Sequence, residues 1–300
     1  MMQHGLLFSS TLLLRGAESA DTGGSRLFPY WSFTKTVIAI CALILAEMGR
    51  VDLDEPLPGQ PFTLRQLLNH TAGLPDYGTL PAYHQAVRNN EEPWARDDLL
   101  RETMRQGMLF PPGGGWRYSN VGYMLARERI EEAAGSAFPD VVESMIAGRL
   151  GLKTVALATT REQFSQVHWK GAQRYHPGWV YHGCLIGTAR EATLLLHALF
   201  TGQLLKEASF RQMLTPVSLG GALEGRPWTD CGYGLGLMTG KMGSVGRAIG
   251  HTGGGPVGVN AVYHFPDLPE PVTVATFADS HDEGRAEFAA VRNSGGRHPT

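Results

Sequence analysis

The sequence is poor in cysteine, and the few it has exclude two classes of protein. Cys41, Cys184 and Cys231 stand far apart and form no Cys-x-x-Cys pair. A disulfide framework and a cysteine-based metal or redox motif are therefore both excluded. We expect all three to be small buried apolar side chains, and a reducing, cytoplasmic compartment fits this usage best.

Long apolar runs and an excess of charge are also missing. The longest apolar run, Val37–Ala46, covers about half of a membrane-spanning helix, so it predicts a buried core helix. The formal net charge is −2, and no basic stretch offers the footprint of a nucleic-acid-binding protein. Residues 1–14 resemble a signal peptide only faintly, because no cation precedes their apolar stretch and hydroxyl residues interrupt it.

The composition that remains is globular, with 43% apolar residues, 38 glycines and 18 prolines in 300 residues. Strand-like segments lie near both ends of the chain, at Leu6–Ser9, Thr11–Arg15, Tyr233–Met238, Gly258–Phe265 and Val272–Phe277. Helical spacing predominates over Ser32–Gly49, Thr63–Leu68, Asp97–Gln106, Asn120–Ala134, Ala189–Thr201 and Glu283–Val291. This order predicts an α+β fold. Residues 1–50 and 183–300 form an antiparallel sheet flanked by helices, and residues 51–182 form an inserted, mostly helical lobe.

Ser32 and Lys35 are the first pair that indicates chemistry. They lie three positions apart at the start of the apolar helix, so they share one face and the amine can reach the hydroxyl. Burial and the helix dipole both favour a neutral Lys35, which can act as a base towards a nucleophilic serine. The pair is also explained by Ser32 as the N-cap of the helix beside an ordinary lysine.

Two further segments allow a catalytic and a structural interpretation. Tyr118 can exchange a proton with the serine if a nearby cation lowers its pKa, and Asn120 can orient a substrate amide. Alternatively, Asn120 caps a helix and Tyr118 packs in the core. The segment 251–255, His-Thr-Gly-Gly-Gly, lets another backbone approach closely. It offers the Gly254 N–H as an oxyanion donor beside that of Ser32, or it is only a turn before a hairpin.

Taken together, the motifs Ser32-x-x-Lys35, Tyr118-x-Asn120 and His251-Thr252-Gly253-Gly254 resemble those of the serine β-lactamase and penicillin-binding protein superfamily. The Tyr-x-Asn form of the second motif is similar to the class C branch. That branch contains AmpC-type β-lactamases, D-aminopeptidases, DD-carboxypeptidases and family VIII esterases. The segments 63–75, 110–113 and 233–236 match it as well, so the resemblance extends over residues 6–291.

The resemblance implies a serine hydrolase that works through an acyl-enzyme. By position it makes Ser32 the nucleophile, Lys35 its proton partner and Tyr118 the acid/base that faces the leaving group. Which of Lys35 and Tyr118 removes the first proton stays open, because groups this close titrate as a pair. The N–H groups of Ser32 and Gly254 become the oxyanion hole. The substrate-binding residues become Asn120, His251, Thr252, Gly253 and Gly254. No metal or cofactor is implied. The implied partner is a small ester, amide or β-lactam-like substrate, and the oligomeric state stays open.

One position departs from the β-lactamase pattern: His251 stands where those enzymes usually carry lysine. A histidine with an ordinary pKa is mostly neutral at pH 7 and attracts a substrate carboxylate weakly. The residue therefore favours the esterase and D-amino-acid amidase or peptidase members over the β-lactamases. Two other classes stay open, a non-catalytic receptor for penicillin-like or D-amino-acid ligands and a protein with a role in assembly.

The segment 168–182 is rich in histidine and aromatic residues and has three interpretations. It is a zinc site formed by His168, His176 and His182, a wall of the substrate pocket, or a loop packed over the core. The spacing of the histidines matches no common zinc motif. His70 and Asp76 are expected to be structural, as a brace for the loop before Tyr77.

Overall fold

An antiparallel sheet forms the centre of the computed structural model, which describes residues 6–15 and 17–295. The strands are, in chain order, β1 (Leu7–Leu13), β2 (Glu18–Asp21), β3 (Phe28–Pro29), β4 (Ala156–Ala158), β5 (Cys184–Gly187), β6 (Val217–Gly220), β7 (Trp228–Tyr233), β8 (Met238–Met242), β9 (Arg247–Gly255), β10 (Gly258–Phe265) and β11 (Val272–Ala278). In this part of the chain, eight of them form one sheet in the order β2-β1-β11-β10-β9-β8-β7-β6, and three form a small sheet in the order β3-β5-β4. The large sheet therefore joins N-terminal and C-terminal strands.

Helices cover both faces of the large sheet. They are α1 (Thr34–Glu47), α2 (Leu64–Leu68), α3 (Pro81–Arg88), α4 (Arg96–Thr103), α5 (Asn120–Ala134), α6 (Phe138–Val142), α7 (Gly148–Leu150), α8 (Arg161–Phe164), α9 (Ala189–Phe200), α10 (Glu207–Leu214) and α11 (Glu283–Asn293). Side chains on β10 and β11 alternate between two cores, as the period of a strand requires. Val262 and Phe277 belong to the core that contains α1 and α9, whereas Tyr263 and Val274 belong to the core under α11. The predicted α+β class is confirmed.

The longest apolar run forms α1, but the helix begins later than predicted. All residues from Thr34 to Leu45 are buried, because the helix is apolar on every side and packs against α5, α6 and α10. Ser32 lies before the helix, in a 3₁₀ turn over Trp31–Phe33. The prediction that Ser32 is the N-cap is wrong, since Phe33 occupies that position without a side-chain hydrogen bond. The Ser32 hydroxyl is therefore available to other partners.

Some strand predictions are wrong. The predicted strand Tyr233–Met238 is largely the turn between β7 and β8, and it lies against α1. Gly236 in this turn has a φ of +69°, and a Cβ there would lie 2.7 Å from the Lys35 carbonyl oxygen. The segment 251–255, considered above as a turn, is the second half of β9. The two short strands expected before residue 16 are the single strand β1.

The small sheet connects the beginning of the chain to the segment after the helical lobe. Strand β3 leads directly into the 3₁₀ turn that contains Ser32, and β5 begins two residues after His182. The two strands pair antiparallel, with Phe28 opposite Gly187 and Pro29 opposite Ile186. The boundaries of the helical lobe at residues 51 and 182 stay a prediction. Within the described ranges, no helix has the length and apolar character needed to cross a membrane.

Candidate active site

The Ser32 hydroxyl is contacted by two side chains that the sequence motifs single out. Lys35 Nζ lies 3.0 Å and the Tyr118 hydroxyl 2.9 Å from Ser32 Oγ. Lys35 Nζ is also 2.7 Å from Asn120 Oδ1 and 5.0 Å from the centroid of the Tyr118 ring. The structure thus brings the four residues of the first two motifs together around one oxygen atom.

His70 and Ser119 position the second motif. Arg117 N–H donates to the His70 carbonyl at 3.0 Å, and Ser119 N–H donates to His70 Nδ1 at 3.1 Å. Ser119 Oγ then accepts the Gly122 N–H at 3.1 Å and caps α5. Asn120 is therefore the first residue of α5 and not its cap, and its side chain is available to the site.

Asp76 fixes the orientation of the Asn120 amide. Its Oδ1 accepts the Asn120 backbone N–H at 2.9 Å, and its Oδ2 accepts from Asn120 Nδ2 at 3.2 Å. The amide oxygen of Asn120 consequently faces Lys35. Asp76 was expected to brace the loop before Tyr77, and the structure shows that it also holds the start of α5.

Burial sets the protonation of the two groups that contact the Ser32 hydroxyl. Loss of hydration lowers the pKa of Lys35 from 10.5 to about 7, against the opposing effect of the Asp76 charge. Burial raises the pKa of Tyr118 well above 10. The condition that a nearby cation lowers the pKa of Tyr118 is not met, because burial is the largest influence on that pKa and raises it. Lys35 is the group that can accept a proton, and Tyr118 is the group that can donate one.

The third motif lies on an open edge of β9. Strand β8 pairs with β9 only from Arg247 to Gly250. Beyond that point no described strand pairs with this edge of β9, and the face of β9 that carries Gly253 and Gly255 lies against the 3₁₀ turn that contains Ser32. A Cβ at Gly253 would lie only 2.7 Å from the Ser32 backbone nitrogen, so this close approach requires glycine. Gly254, the next residue, lines the site together with Ser32.

His251 is enclosed and neutral. The residue is 1% exposed, and burial lowers its pKa from 6.5 to about 3. Its Nδ1 lies 2.5 Å from the Thr252 carbonyl oxygen, which places the ring proton on that nitrogen. Nε2 then accepts a hydrogen bond from the Tyr233 hydroxyl at 2.9 Å. The residue therefore offers a substrate no positive charge.

The Thr252 side chain joins a buried network that includes α11. Its Oγ1 donates to Glu287 Oε1 at 2.5 Å and lies 2.6 Å from the Tyr263 hydroxyl. Because the hydroxyl already has these partners, the residue contributes to the site mainly through its main chain and through the position of β9.

Two cavities meet at Ser32, and both are also lined by Asn120 and Gly254. The larger has a volume of about 840 Å³ and extends along the β9 edge past Arg226 and Glu283. The smaller, of about 360 Å³, is rich in rings; its lining includes three histidines and the aromatic residues Trp31, Tyr77, Tyr83, Tyr175 and Trp179. A substrate carbonyl at Ser32 can thus place one substituent in each cavity.

The segment 168–182 supplies part of the smaller cavity and does not form a zinc site. The ring of His168 packs against Phe8, His176 lies 3.3 Å from Glu92, and His182 contacts Lys35, so the three histidines have separate surroundings. Over residues 6–15 and 17–295, no group of metal-ligating side chains is clustered. The pocket-wall interpretation holds for Tyr175, Trp179, Val180 and His182.

Sequence reasoning missed the contacts of two buried histidines with the site. The ring of His70 packs on that of Tyr118 with centroids 4.3 Å apart, and His182 Nε2 lies 3.2 Å from Lys35 Nζ. The local signal at His182 was its place in a histidine-rich and aromatic stretch. Its contact with a residue 147 positions earlier depends on the pairing of β3 with β5.

A serine hydroxyl held between a lysine and a tyrosine, beside an antiparallel sheet flanked by helices, places the chain in the class of β-lactamase-fold proteins. The chain belongs to the Beta-lactamase family, whose model matches residues 16–293. The resemblance that the motifs suggest is confirmed.

Similar proteins include amidases, a penicillin-binding protein and an esterase. A D-stereospecific amidohydrolase from Streptomyces sp. has a TM-score of 0.78 and 27% identity, covering 94% of this chain and 93% of that one. D-amino acid amidase from Ochrobactrum anthropi SV3 has a TM-score of 0.78 and 25% identity, with 92% and 88% covered.

The curated relatives are longer than this chain. Penicillin-binding protein 4* of Bacillus subtilis (strain 168) is 27% identical over 266 residues, which are 77% of this chain and 56% of that protein. Esterase EstB of Burkholderia gladioli is 27% identical over 172 residues, with 51% and 42% covered. The chain spans about half the length of these curated relatives.

Proposed function

We propose that the protein is a serine hydrolase that cleaves an ester or an amide through an acyl-enzyme on Ser32. The observation that carries this proposal is the pair of contacts at Ser32 Oγ, with an amine of pKa about 7 on one side and a protonated phenol on the other. A hydroxyl that donates its hydrogen bond to a neutral amine is activated as a nucleophile.

In acylation, the neutral Lys35 amine takes the Ser32 proton while Oγ attacks the substrate carbonyl. The new C–O bond converts the carbonyl oxygen into an oxyanion, which the N–H groups of Ser32 and Gly254 stabilise. Tyr118 gives its proton to the leaving alcohol or amine as the bond to that group breaks, and it recovers a proton from the Lys35 ammonium. The site then holds an ester of Ser32, a neutral amine and a protonated phenol.

Deacylation repeats these transfers with water in place of Ser32. Lys35 takes a proton from the water, and the oxygen attacks the acyl carbonyl to form a second oxyanion. The bond to Ser32 Oγ breaks as that oxygen regains a proton through Tyr118, which is again reprotonated by Lys35. Every group returns to its starting protonation state, so the protons balance over the cycle.

The charges in the larger cavity favour a neutral or amine-bearing substrate over a carboxylate. Among the described residues that line it, Arg226 is the only arginine or lysine. All three nitrogen atoms of its guanidinium have carboxylate partners. It donates to Glu287 at 2.5 and 2.7 Å, and it lies 2.7 Å from Glu283. Two carboxylates outweigh one cation, and His251 is neutral. We therefore place the protein with esterases and D-amino-acid amidases or peptidases rather than with β-lactamases.

The test is a substrate panel with a matched pair of variants. Short acyl p-nitrophenyl esters, D- and L-amino acid amides and nitrocefin are compared with the wild type, Ser32→Ala and Ser218→Ala. Ser218 lines the same cavity, so its variant controls for loss of a serine hydroxyl there. We expect ester or amide turnover at least tenfold above nitrocefin turnover, loss of turnover and of fluorophosphonate labelling in Ser32→Ala, and near-normal values in Ser218→Ala.

Three results would contradict the proposal or its substrate assignment. Undiminished turnover in Ser32→Ala would show that Ser32 is not the nucleophile. A covalent adduct on Ser32 that persists for hours without product would instead indicate a receptor. A preference for nitrocefin would leave the nucleophile in place and overturn the substrate assignment.

A further inference from the structure

Lys35 Nζ has three neighbours at hydrogen-bond distance. They are Ser32 Oγ at 3.0 Å, Asn120 Oδ1 at 2.7 Å and His182 Nε2 at 3.2 Å. A protonated lysine can donate to all three, whereas a neutral amine has two N–H groups and one lone pair. Which neighbour receives the lone pair decides whether the amine can act as a base towards Ser32.

The first N–H has a fixed acceptor. Asn120 Nδ2 donates to Asp76, so the atom that faces Lys35 is the amide oxygen, which can only accept. His182 then decides the direction of the lone pair. If Nε2 accepts the second N–H, the lone pair can face only the Ser32 hydroxyl. If Nε2 carries a proton, it competes with Ser32 for that lone pair.

The surroundings of His182 keep Nε2 an acceptor. The residue is 2% exposed, and its Nδ1 is buried without a hydrogen bond of good geometry; the main chain of Trp31 is the other polar group beside the ring. Only the form with the proton on Nδ1 is compatible with both the charged and the neutral lysine, because an ammonium needs an acceptor.

His182 is held firmly where it meets Lys35. Gly183 follows it with a φ of +99° and turns the chain into β5. Leu185 in β5 donates its N–H to Thr34 Oγ1 at 3.2 Å and accepts the Tyr30 N–H at 2.7 Å. These bonds connect the histidine to both sides of the turn that carries Ser32.

We propose that His182 is a positioning residue that directs the lone pair of the neutral Lys35 amine towards the Ser32 hydroxyl. The inference rests on the proposed function. Burial and the charge of Lys35 keep the pKa of His182 well below 6.5, so the ring does not compete for the proton. The other groups that face Lys35 are the Asp76 carboxylate, the Tyr118 and Tyr123 rings at 5.0 and 5.5 Å, and the neutral rings of His70 and His251.

The test measures the rate of Ser32 labelling by a fluorophosphonate between pH 5 and 9, which requires no knowledge of the natural substrate. His182→Leu removes the acceptor, and His182→Gln places an amide oxygen within reach of the same position. His197→Leu is the matched control, since His197 is also buried with an unpartnered Nδ1 but lies on α9. Rates are normalised to folded protein by circular dichroism.

We expect His182→Leu to lower the high-pH labelling rate about tenfold, a part of the 10²- to 10⁴-fold that general-base catalysis contributes. Its pH inflection moves to lower pH, because the ammonium loses an acceptor. His182→Gln retains the inflection near its original position, and His197→Leu retains both rate and inflection. A folded His182→Leu protein with an unmoved inflection and a rate within twofold of wild type would overturn the inference. So would equal losses in the Leu and Gln variants without a moved inflection, which would indicate packing alone. If the wild type is not labelled at Ser32, the proposed function itself fails.

Discussion

The buried ion pair between Arg226 and Glu287 links the stability of the fold to the position of β9. Glu287 is fully buried and accepts hydrogen bonds from Arg226 at 2.5 and 2.7 Å, from Trp228 Nε1 at 2.9 Å and from Thr252 Oγ1 at 2.5 Å. Glu287→Gln keeps the shape of the side chain but removes the buried one of the two charges that compensate the guanidinium. Removing one partner of a buried pair costs about 3 to 5 kcal/mol, which corresponds to a drop in Tm of roughly 10 °C.

The assay is urea unfolding followed by tryptophan fluorescence, with Arg247→Gln as the control. Arg247 pairs with Asp267 at 2.6 Å but its side chain is 58% exposed, so its loss costs at most about 1 kcal/mol. Replacing both partners, as Arg226→Met with Glu287→Leu, recovers part of the loss, because the only carboxylate that then lacks its partner is the partly exposed Glu283. If Glu287→Gln is no more destabilising than Arg247→Gln, the buried network does not stabilise the fold as argued.

Three further predictions concern the site and its response to pH. The labelling rate of Ser32 rises about tenfold per pH unit below pH 7 and levels off above it, because the pKa of Lys35 is about 7 and only the neutral amine is a base; a rate independent of pH between 5 and 9 would contradict this. Gly253→Ala lowers the labelling rate at least 100-fold, because its Cβ would lie 2.7 Å from the Ser32 nitrogen, and normal labelling would show that the turn can move aside. Stability falls between pH 6.5 and 4 by up to about 1.4 kcal/mol per pH unit for each of two histidines. The unfolded chain takes up protons there, whereas burial lowers the pKa of His251 to about 3 and that of His264 to about 4. A free energy of unfolding that is flat over this range would refute the assignment.

The sequence was sufficient where local chemistry determines structure. The all-apolar run predicted the buried helix α1, and the spacing of Ser32 and Lys35 predicted that their side chains meet. The second half of β9 could not be predicted from its glycines, because glycine is unfavourable in strands. Glycine is required at position 253 because the Ser32 backbone approaches β9 closely there. That approach is a tertiary contact.

The protonation states of the site residues also could not be predicted from local sequence patterns. The pKa of Tyr118 depends on burial by residues from several elements, and the nearby Lys35 is itself depleted of charge. The contact of His182 with Lys35 arises only once β3 and β5 pair. Spacing along the chain could therefore identify the candidate reacting groups, but it could not predict the surroundings that shift their pKa values.

The free edge of β9 between two unequal cavities has a stereochemical consequence. A ligand whose main chain lies along this edge has its carbonyl carbon at Ser32. The configuration of the adjacent carbon then decides which substituent enters the larger cavity and which enters the smaller one with its aromatic rings. Under the proposed function, mirror-image substrates would have to exchange these substituents between cavities of about 840 and 360 Å³. Handedness would then be distinguished by the shape of the space on either side of the reacting bond.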